Sequence, residues 1–504
     1  MSDNSKQTKF NFYTNILALI ANVVVGIYYT PYLLNSLGLA AYGVLPLALI
    51  VNQYVSVATQ TLTHSYTRFY SVALQKGDYL EASKNISTSL VVVLIISLLL
   101  TPIGVWIVTC VDKLFQIPQT LIISARFLFI FSLLSLVVSL FSSLLNVTLY
   151  ALNRLDLMNG LKIIRIVFKF VLVIYLFEAY KIDISFVGLT SFLTEIIVLL
   201  ISLVLFFRFK PADVRVSLML FDKVILYSIL GMSIWVLIQL CGDTLLYRTD
   251  NLLVNHYWGT VSSGALGAIS EIGNYVTIVV SVLGSLFGPL ILIAYAKNNH
   301  DEVKSLFIEQ STIVGCVSAV ITGVLSGCGV QVLSIWLGNG MEEYSWWLTM
   351  KMVVLPFYAS GGIMAFVYRS WNKMKFPALG TIFLGLADVS SLIVICEFFH
   401  PNNVMIVLIL SAIFSILQCF ILNAVAVNRI YPECKKSLFI ISFKIISSFV
   451  ASYLIGAISL HIFSISNLIE LGLLLIFICT IVGISVFFIV LSKKERIKLI
   501  NIIK

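Results

Sequence analysis

Fourteen apolar runs of about twenty residues, set end to end with short polar breaks, constrain this chain more than any other feature. They fall near 12–34, 40–64, 86–110, 120–145, 161–178, 184–207, 224–247, 261–294, 308–336, 346–368, 376–397, 403–427, 438–461 and 468–491. A helix rises 1.5 Å per residue, so each run is long enough to cross about 30 Å of hydrocarbon. In lipid every backbone N–H and C=O needs a partner within the structure, and a helix supplies all of them. With 60% hydrophobic and only 11% charged residues, the chain carries more apolar surface than a water-soluble fold covers. The expectation is an all-α polytopic membrane protein of about fourteen transmembrane helices. The first run follows Lys6 and Lys9, is too long for a signal-peptide core and lacks a small-residue cleavage site, so it reads as an uncleaved span.

The net charge of +9 raises the question of nucleic acid, and the placement of the charge answers it. With the N-terminus inside, cytoplasmic segments hold 26 of the 32 Lys and Arg, and external loops hold Lys113, Lys181 and Arg248. Arg126, Lys169 and Lys351 lie within spans. This is a membrane-topology signal rather than a nucleic-acid face, and it predicts both termini in the cytoplasm. A miscounted span would invert every loop after it and erase the asymmetry. Eight cysteines form no C-x-x-C spacing, so neither zinc nor redox chemistry is indicated, and no metal or cofactor is expected.

A shift of 221 residues, without a gap, lays 31–84 on 252–305. Nine positions are identical, among them Gly38/Gly259, Gly43/Gly264, Tyr54/Tyr275, Lys76/Lys297 and Glu81/Glu302, and Gln53/Asn274 and Asp78/Asn299 are close. The shift maps span one on seven and span two on eight. An interval of six spans is even, so the halves enter from the same side as parallel repeats. The predicted organisation is an N-terminal six-helix bundle (1–215), a C-terminal six-helix bundle (216–430), and two extra C-terminal helices with a tail (431–504).

The stretch from Tyr32 to Tyr42-Gly43, then Arg68-Phe69-Tyr70-Ser71, Lys76-Gly77-Asp78, Asp250-Asn251-Leu252-Leu253 and Trp258-Gly259 together resemble the polysaccharide transporters of the multidrug/oligosaccharidyl-lipid/polysaccharide (MOP) exporter superfamily, in particular Wzx-type O-antigen flippases. That resemblance implies movement of undecaprenyl-pyrophosphate-linked oligosaccharide, an O-antigen or related surface polysaccharide unit, from the cytoplasmic to the outer leaflet of the bacterial inner membrane. It implies alternating access coupled to H+ or Na+ or to the membrane potential, contact with membrane lipid, and polysaccharide polymerase machinery as a partner. Wzx-type members are usually drawn with twelve spans. Spans thirteen and fourteen are instead similar to the pair with which lipid II flippases form a groove for the lipid tail.

Such a cargo needs cations for pyrophosphate and hydrogen bonds for sugars, so polar residues within spans are the candidates. For substrate binding these are Arg126, Arg68, Lys169, Lys351, Asn22, Gln53, Gln60 and Asn274; amides both donate and accept, as sugar hydroxyls require. For ion coupling they are Glu271, Asp388 and Glu195. Structural readings stand beside each: Lys169 paired with Glu195, Lys351 with Glu342 or Glu343, Asp243, Arg248 and Asp250 as a salt-bridged cap at the end of span seven, and the amides as bonds between packed helices. A small-molecule cation antiporter of MATE type is the alternative function, although its cavity should be mainly acidic and the charges here are mixed. A polymerase or ligase acting on the same lipids should carry a long external loop, and the predicted loops are short. No P-loop, dinucleotide fingerprint or H-E-x-x-H occurs.

Overall fold

A computed structural model describes residues 2–497 except 372, 402, 464 and 466; some side chains within helices, among them those of Gln60, His64, Arg68 and Pro289, also lie outside the described residues. The described chain is helical, with no strand. The long helices are α1 (Ser2–Leu37), α2 (Val44–Gln75), α3 (Tyr79–Thr109), α4 (Ile122–Ala151), α5 (Leu155–Ala179), α6 (Ile184–Phe209), α7 (Lys223–Ala296), α8 (His300–Gly327), α9 (Ser345–Ser370), α10 (Lys375–Phe399), α11 (Met405–Asn428), α12 (Lys435–Ile462) and α13 (Leu468–Ile489). The predicted runs fall on these helices, with α7 taking two, except that run 308–336 passes the end of α8 onto a short helix, Gly329–Leu337. Eleven helices among the described residues are long and apolar enough by themselves to cross a membrane. Helices α2 and α5 fall outside that set, α5 because Lys162, Arg165 and Lys169 crowd its middle, and α7 counts once.

The two predicted spans in α7 are joined at Gly259, whose φ of 81° and ψ of −175° interrupt the helix. Gly38, its partner under the 221-residue shift, takes φ 77° and ψ 160° between α1 and the next turn. An L-residue with a β-carbon meets its own carbonyl in this region, so glycine is required at both places. The equivalence continues at the far ends of the aligned segments. Gly77 (φ 73°) and Asn298 (φ 55°) are both left-handed. Around Gly77 the bonds run Lys76 N–H to Val72, Gly77 N–H to Leu74 and Asp78 N–H to Ala73; around Asn298 they run Lys297 to Ile293, Asn298 to Tyr295 and Asn299 to Ala294. This is a Schellman-type close of one helix. The next helix is capped at once: Asp78 accepts from Glu81 N–H (2.9 Å) and Asn299 from Glu302 N–H (3.1 Å).

The chain separates into two compact units, residues 1–241 with 258–264, and residues 242–257 with 265–504. In the first unit, α4 and α6 pack so closely that a β-carbon on Gly188 would lie 3.0 Å from the Leu128 backbone. Helix α1 is pinned to α5 by Asn11, whose amide donates to Asn153 O (2.9 Å) and accepts from Asp156 N–H (2.9 Å). Asp156 is held in turn by Arg154 through two bonds of 3.0 Å. Gly43 and Gly264, another shift-related pair, touch in this unit: a β-carbon on Gly43 would collide with the carbonyl of Thr260, and one on Gly264 with that of Leu39.

In the second unit, α8 is the buried centre, with α9 and α12 against it. Small residues set the spacing. Gly315, Gly323 and Gly327 of α8 face Ile445, Ser452 and Tyr453 to Ala457 of α12; a methyl group would meet the Ile445 side chain at Gly315 and backbone at Gly323 and Gly327. The segment after α13 is tied back by a buried ion pair, Lys444 to Glu495 at 2.7 and 2.9 Å. Helices α12 and α13 are thus fixed to the second unit through α8, while α13 keeps a wide apolar face exposed, including Ile469, Leu473 and Ile476.

Candidate functional site

The polar groups of the second unit converge along the first arm of α7. Asp243, Tyr247 and Asp250 occupy positions i, i+4 and i+7 and share one helical face. Thr381 and Asp388 stand at i and i+7 on α10, on the face that meets it. The two helices come together because Gly242 and Gly385 lack side chains: a β-carbon on Gly242 would lie 2.6 Å from Ile382 N, and one on Gly385 2.9 Å from Gly242 O.

At one end of this face Gln418 gathers the network. Its amide nitrogen donates to Asp243 Oδ1 (3.2 Å) and Thr381 Oγ1 (3.1 Å), and its oxygen accepts from Tyr247 (2.9 Å). Tyr358 of α9 stands edge-on to Tyr247, 5.7 Å between ring centres. Gln418 belongs to a π-helical stretch of α11, Leu417–Leu422, whose wider turn shifts residue directions relative to an α-helix. The stretch lies where Gly361 of α9 meets the carbonyl of Cys419, with Asn423 donating to Cys419 O (2.8 Å) and Gly361 O (3.3 Å).

At the other end lies a charged trio. Asp250 is 3% exposed; its Oδ1 accepts from Asn251 N–H (2.8 Å) and its Oδ2 is ion-paired with Lys351 of α9. Asp388 is 1% exposed, within electrostatic reach of both, and its Oδ1 has no hydrogen-bond partner. The ammonium of Lys351 is thus bonded to Asp250, and the second buried carboxyl group, Asp388, lies near the pair. Burial of an uncompensated carboxylate is costly, so the trio has capacity for one further positive charge.

The first unit answers its charges differently. Glu195 of α6 is taken by Arg165 of α5 through a fork of 2.6 and 3.0 Å, not by Lys169. Lys169 lies one turn further along, over the ring of Tyr29 of α1 at 5.7 Å. Arg126 bonds Asp112 at 3.3 Å, and its Nε is buried without an acceptor. Gln53 has a buried, unpartnered Oε1, whereas Asn22 is half-buried.

Of the other candidates, Glu271 and Asn274 are half-buried on the second arm of α7. Gln60 and Arg68 have side chains outside the described residues. Lys351 pairs with Asp250 rather than with Glu342 or Glu343. The expected cap of Asp243, Arg248 and Asp250 is also replaced, because α7 continues past residue 247: Asp243 binds Gln418, and Asp250 binds Lys351. Sequence reading missed Tyr247, Thr381 and Gln418. The i, i+4, i+7 spacing of Asp243, Tyr247 and Asp250 was the available signal for the first of them. Nothing in the sequence marks a π-helical turn. All eight cysteines are free, and no group of three His, Cys, Asp or Glu suited to a metal ion occurs among the described residues.

The fold in which this buried polar seam lies is similar to that of solved MOP-superfamily transporters. An inward-facing multidrug resistance MATE family transporter of that superfamily matches with a TM-score of 0.68 at 14% identity, over 84% of this chain and 98% of that one. Lipid II flippase MurJ, in an inward closed conformation, matches with a TM-score of 0.60 at 14% identity, over 95% of this chain and 97% of the flippase. A MOP-superfamily transporter from Pyrococcus furiosus matches at 0.62 and 14%, over 84% and 96%. In sequence, the chain is 25% identical over 395 residues, 75% of each chain, to the uncharacterized membrane protein EpsK of Bacillus subtilis strain 168. No family model matches.

Proposed function

We infer that this protein is a flippase for a polyprenyl-pyrophosphate-linked oligosaccharide in a bacterial cytoplasmic membrane. The observation that carries the reading is one of extent. The likeness to the lipid II flippase covers 95% of the chain and the likeness to the multidrug transporter 84%. The difference, about 55 residues, is close to the 28 and 22 residues of α12 and α13. Those helices give a drug or ion no evident service, whereas a lipid-linked cargo has a long tail that must stay in hydrocarbon. The fixed packing of α12 on α8 and the broad apolar face of α13 fit that use.

Coupling is assigned to the Asp250, Lys351 and Asp388 trio. The open negative charge at Asp388 takes a proton or a sodium ion, and that uptake changes how strongly Lys351 is held. In this reading Glu195 is bonded to Arg165, and Arg126 and Lys169 supply the first unit's positive charge towards an anionic cargo.

The test is transport by purified protein in liposomes loaded with a lipid-linked oligosaccharide, read by exposure of the sugar to an impermeant glycosidase, with an imposed pH or sodium gradient. Protein-dependent, gradient-sensitive exposure is expected, together with loss of the gradient sensitivity in Asp388→Asn. Movement of a cationic dye with no movement of the sugar lipid would favour the MATE-type antiporter instead.

A further inference from the structure

Between the last three turns of α3 and the middle of α4, within the first unit, runs an apolar groove. One wall is Leu100, Gly104 and Val108, at i, i+4 and i+8 on α3; the other is Ile130, Leu133 and Val137 on α4. Gly104 makes the floor, since a β-carbon there would reach Leu133 Cδ1 at 3.3 Å. The two hydroxyls in the lining are spent on their own helix: Thr101 donates to Ser97 O (2.9 Å) and Thr109 to Val105 O (2.9 Å). The groove therefore offers hydrocarbon and no hydrogen bond.

Its length and its end are specific. From Leu100 to Thr109 the helix rises about 14 Å, close to half of a 30 Å hydrocarbon core. The groove thus matches one leaflet. Arg126 precedes Ile130, Leu133 and Val137 on the same stripe of α4, at i, i+4, i+7 and i+11, and so stands at its head. Its ion-pair partner, Asp112, follows the end of α3, so the pair joins the two walls above the groove. The bond is long at 3.3 Å, and the Nε donor is buried and unused. Trp106, 56% exposed near the same end, is the residue type that marks the headgroup level of a bilayer. A leaflet-long apolar slot beneath a guanidinium with a spare donor describes a site for one hydrocarbon chain bearing a phosphate head.

We propose that the α3–α4 groove holds the polyprenyl chain of the cargo lipid in one leaflet, with its pyrophosphate against Arg126. The cavity, about 260 Å³, has room for part of one hydrocarbon chain, and competition with a two-chain phospholipid distinguishes the two sources of such a chain. The proposal rests on the flippase reading for the identity of the lipid, although the site is separate from α12 and α13.

A polyprenyl pyrophosphate with a benzophenone on its chain, photolysed in proteoliposomes, tests it. Labelling should map to residues 95–140, fall at least tenfold in Gly104→Leu, fall severalfold in Arg126→Gln, and survive an equal excess of phosphatidylglycerol. Leu100→Trp fills the slot from its other end and serves if Gly104→Leu does not give monodisperse protein. Unchanged labelling in a folded slot-filling variant, or equal displacement by phosphatidylglycerol, would overturn the assignment. Sugar-lipid transport measured on the same vesicles separates the two readings. Transport without groove labelling removes this site and leaves the flippase; groove labelling without transport does the reverse.

Discussion

At the scale of single residues, the charges were legible as a class but not as partners. Ionised groups inside spans are expensive, so Lys169, Glu195, Lys351 and Asp388 stand out from any apolar background. Which cation meets which carboxylate depends on helix rotation. Arg165 and Lys169 are one turn apart on α5, and the difference of about 6 Å in depth decides which reaches Glu195. A charge outside the spans gives a cleaner test. Asp183, at the start of α6, accepts from Ser185 N–H (2.9 Å) and Ser124 (3.0 Å) and pairs with Lys181 (3.1 Å). Burial pushes its carboxyl up, but these donors outweigh it and leave the pKa below the ordinary carboxylate value. A depressed carboxylate stabilises the fold at all pH above its unfolded pKa, about 3.9, and that contribution is lost as pH falls through the folded value. Asp183→Ala should therefore cost about 1 kcal/mol at pH 7, the size of a lost helix cap. Thermal melts of detergent-solubilised protein should show the gap between wild type and variant narrowing below about pH 4. A gap that is unchanged at pH 3 would mean that packing, not the charge, is responsible.

At the scale of helices and their joints, the 221-residue shift foretold more geometry than its nine identities suggest. Gly38 and Gly259 match because both need the same positive φ, and Lys76-Gly77-Asp78 and Lys297-Asn298-Asn299 match because both close one helix and cap the next. Asn298 stands where its counterpart is glycine, the replacement that the left-handed region tolerates best. What remained hidden was the crossing of α9 and α11. A π-helical turn has no composition of its own, and Gly361 reads in sequence like any other small residue in a span. In the structure, a methyl on Gly361 would run into the Cys419 carbonyl, a backbone atom that no rotamer change can move aside. Gly361→Ala should therefore lower the apparent melting temperature sharply, by the equivalent of about 1–3 kcal/mol, and reduce the yield of monodisperse protein. Gly483→Ala in α13 is the control. It has open space around its β-carbon position and helical backbone, and replacement by alanine should be neutral or slightly stabilising. Equal behaviour of the two variants in fluorescence-detected size exclusion after heating would show that the α9–α11 crossing does not constrain the fold.

At the scale of the whole chain, the number of crossings fixes the direction of every loop. The helices that qualify as spans by length and apolarity alone number eleven among the described residues. An odd number places the two ends on opposite sides of the membrane. Fourteen crossings place them on the same side, and the extra ones come from α2, from α5 with its three basic residues, and from the division of α7 at Gly259. The charge tally favours fourteen because omission of α5 alone would invert everything downstream and move Arg208, Lys210, Arg215 and Lys223 to the exterior. The same connection carries Asp222, whose carboxyl is held below the usual range by Lys84, which follows the α2–α3 turn. Lys84 and the 210–222 connection are thus in contact, which requires the α2–α3 and α6–α7 loops to lie on one face. An even number of crossings must separate them, and α3, α4, α5 and α6 supply four. Reporter fusions decide the matter in intact cells. Fluorescent protein placed after residue 504 and within 210–217 should fold and emit, and alkaline phosphatase at both sites should be inactive. In the 179–183 loop the pattern should reverse. A phosphatase signal from the 210–217 site would remove α5 from the membrane, and with it the parallel halves that the flippase reading requires.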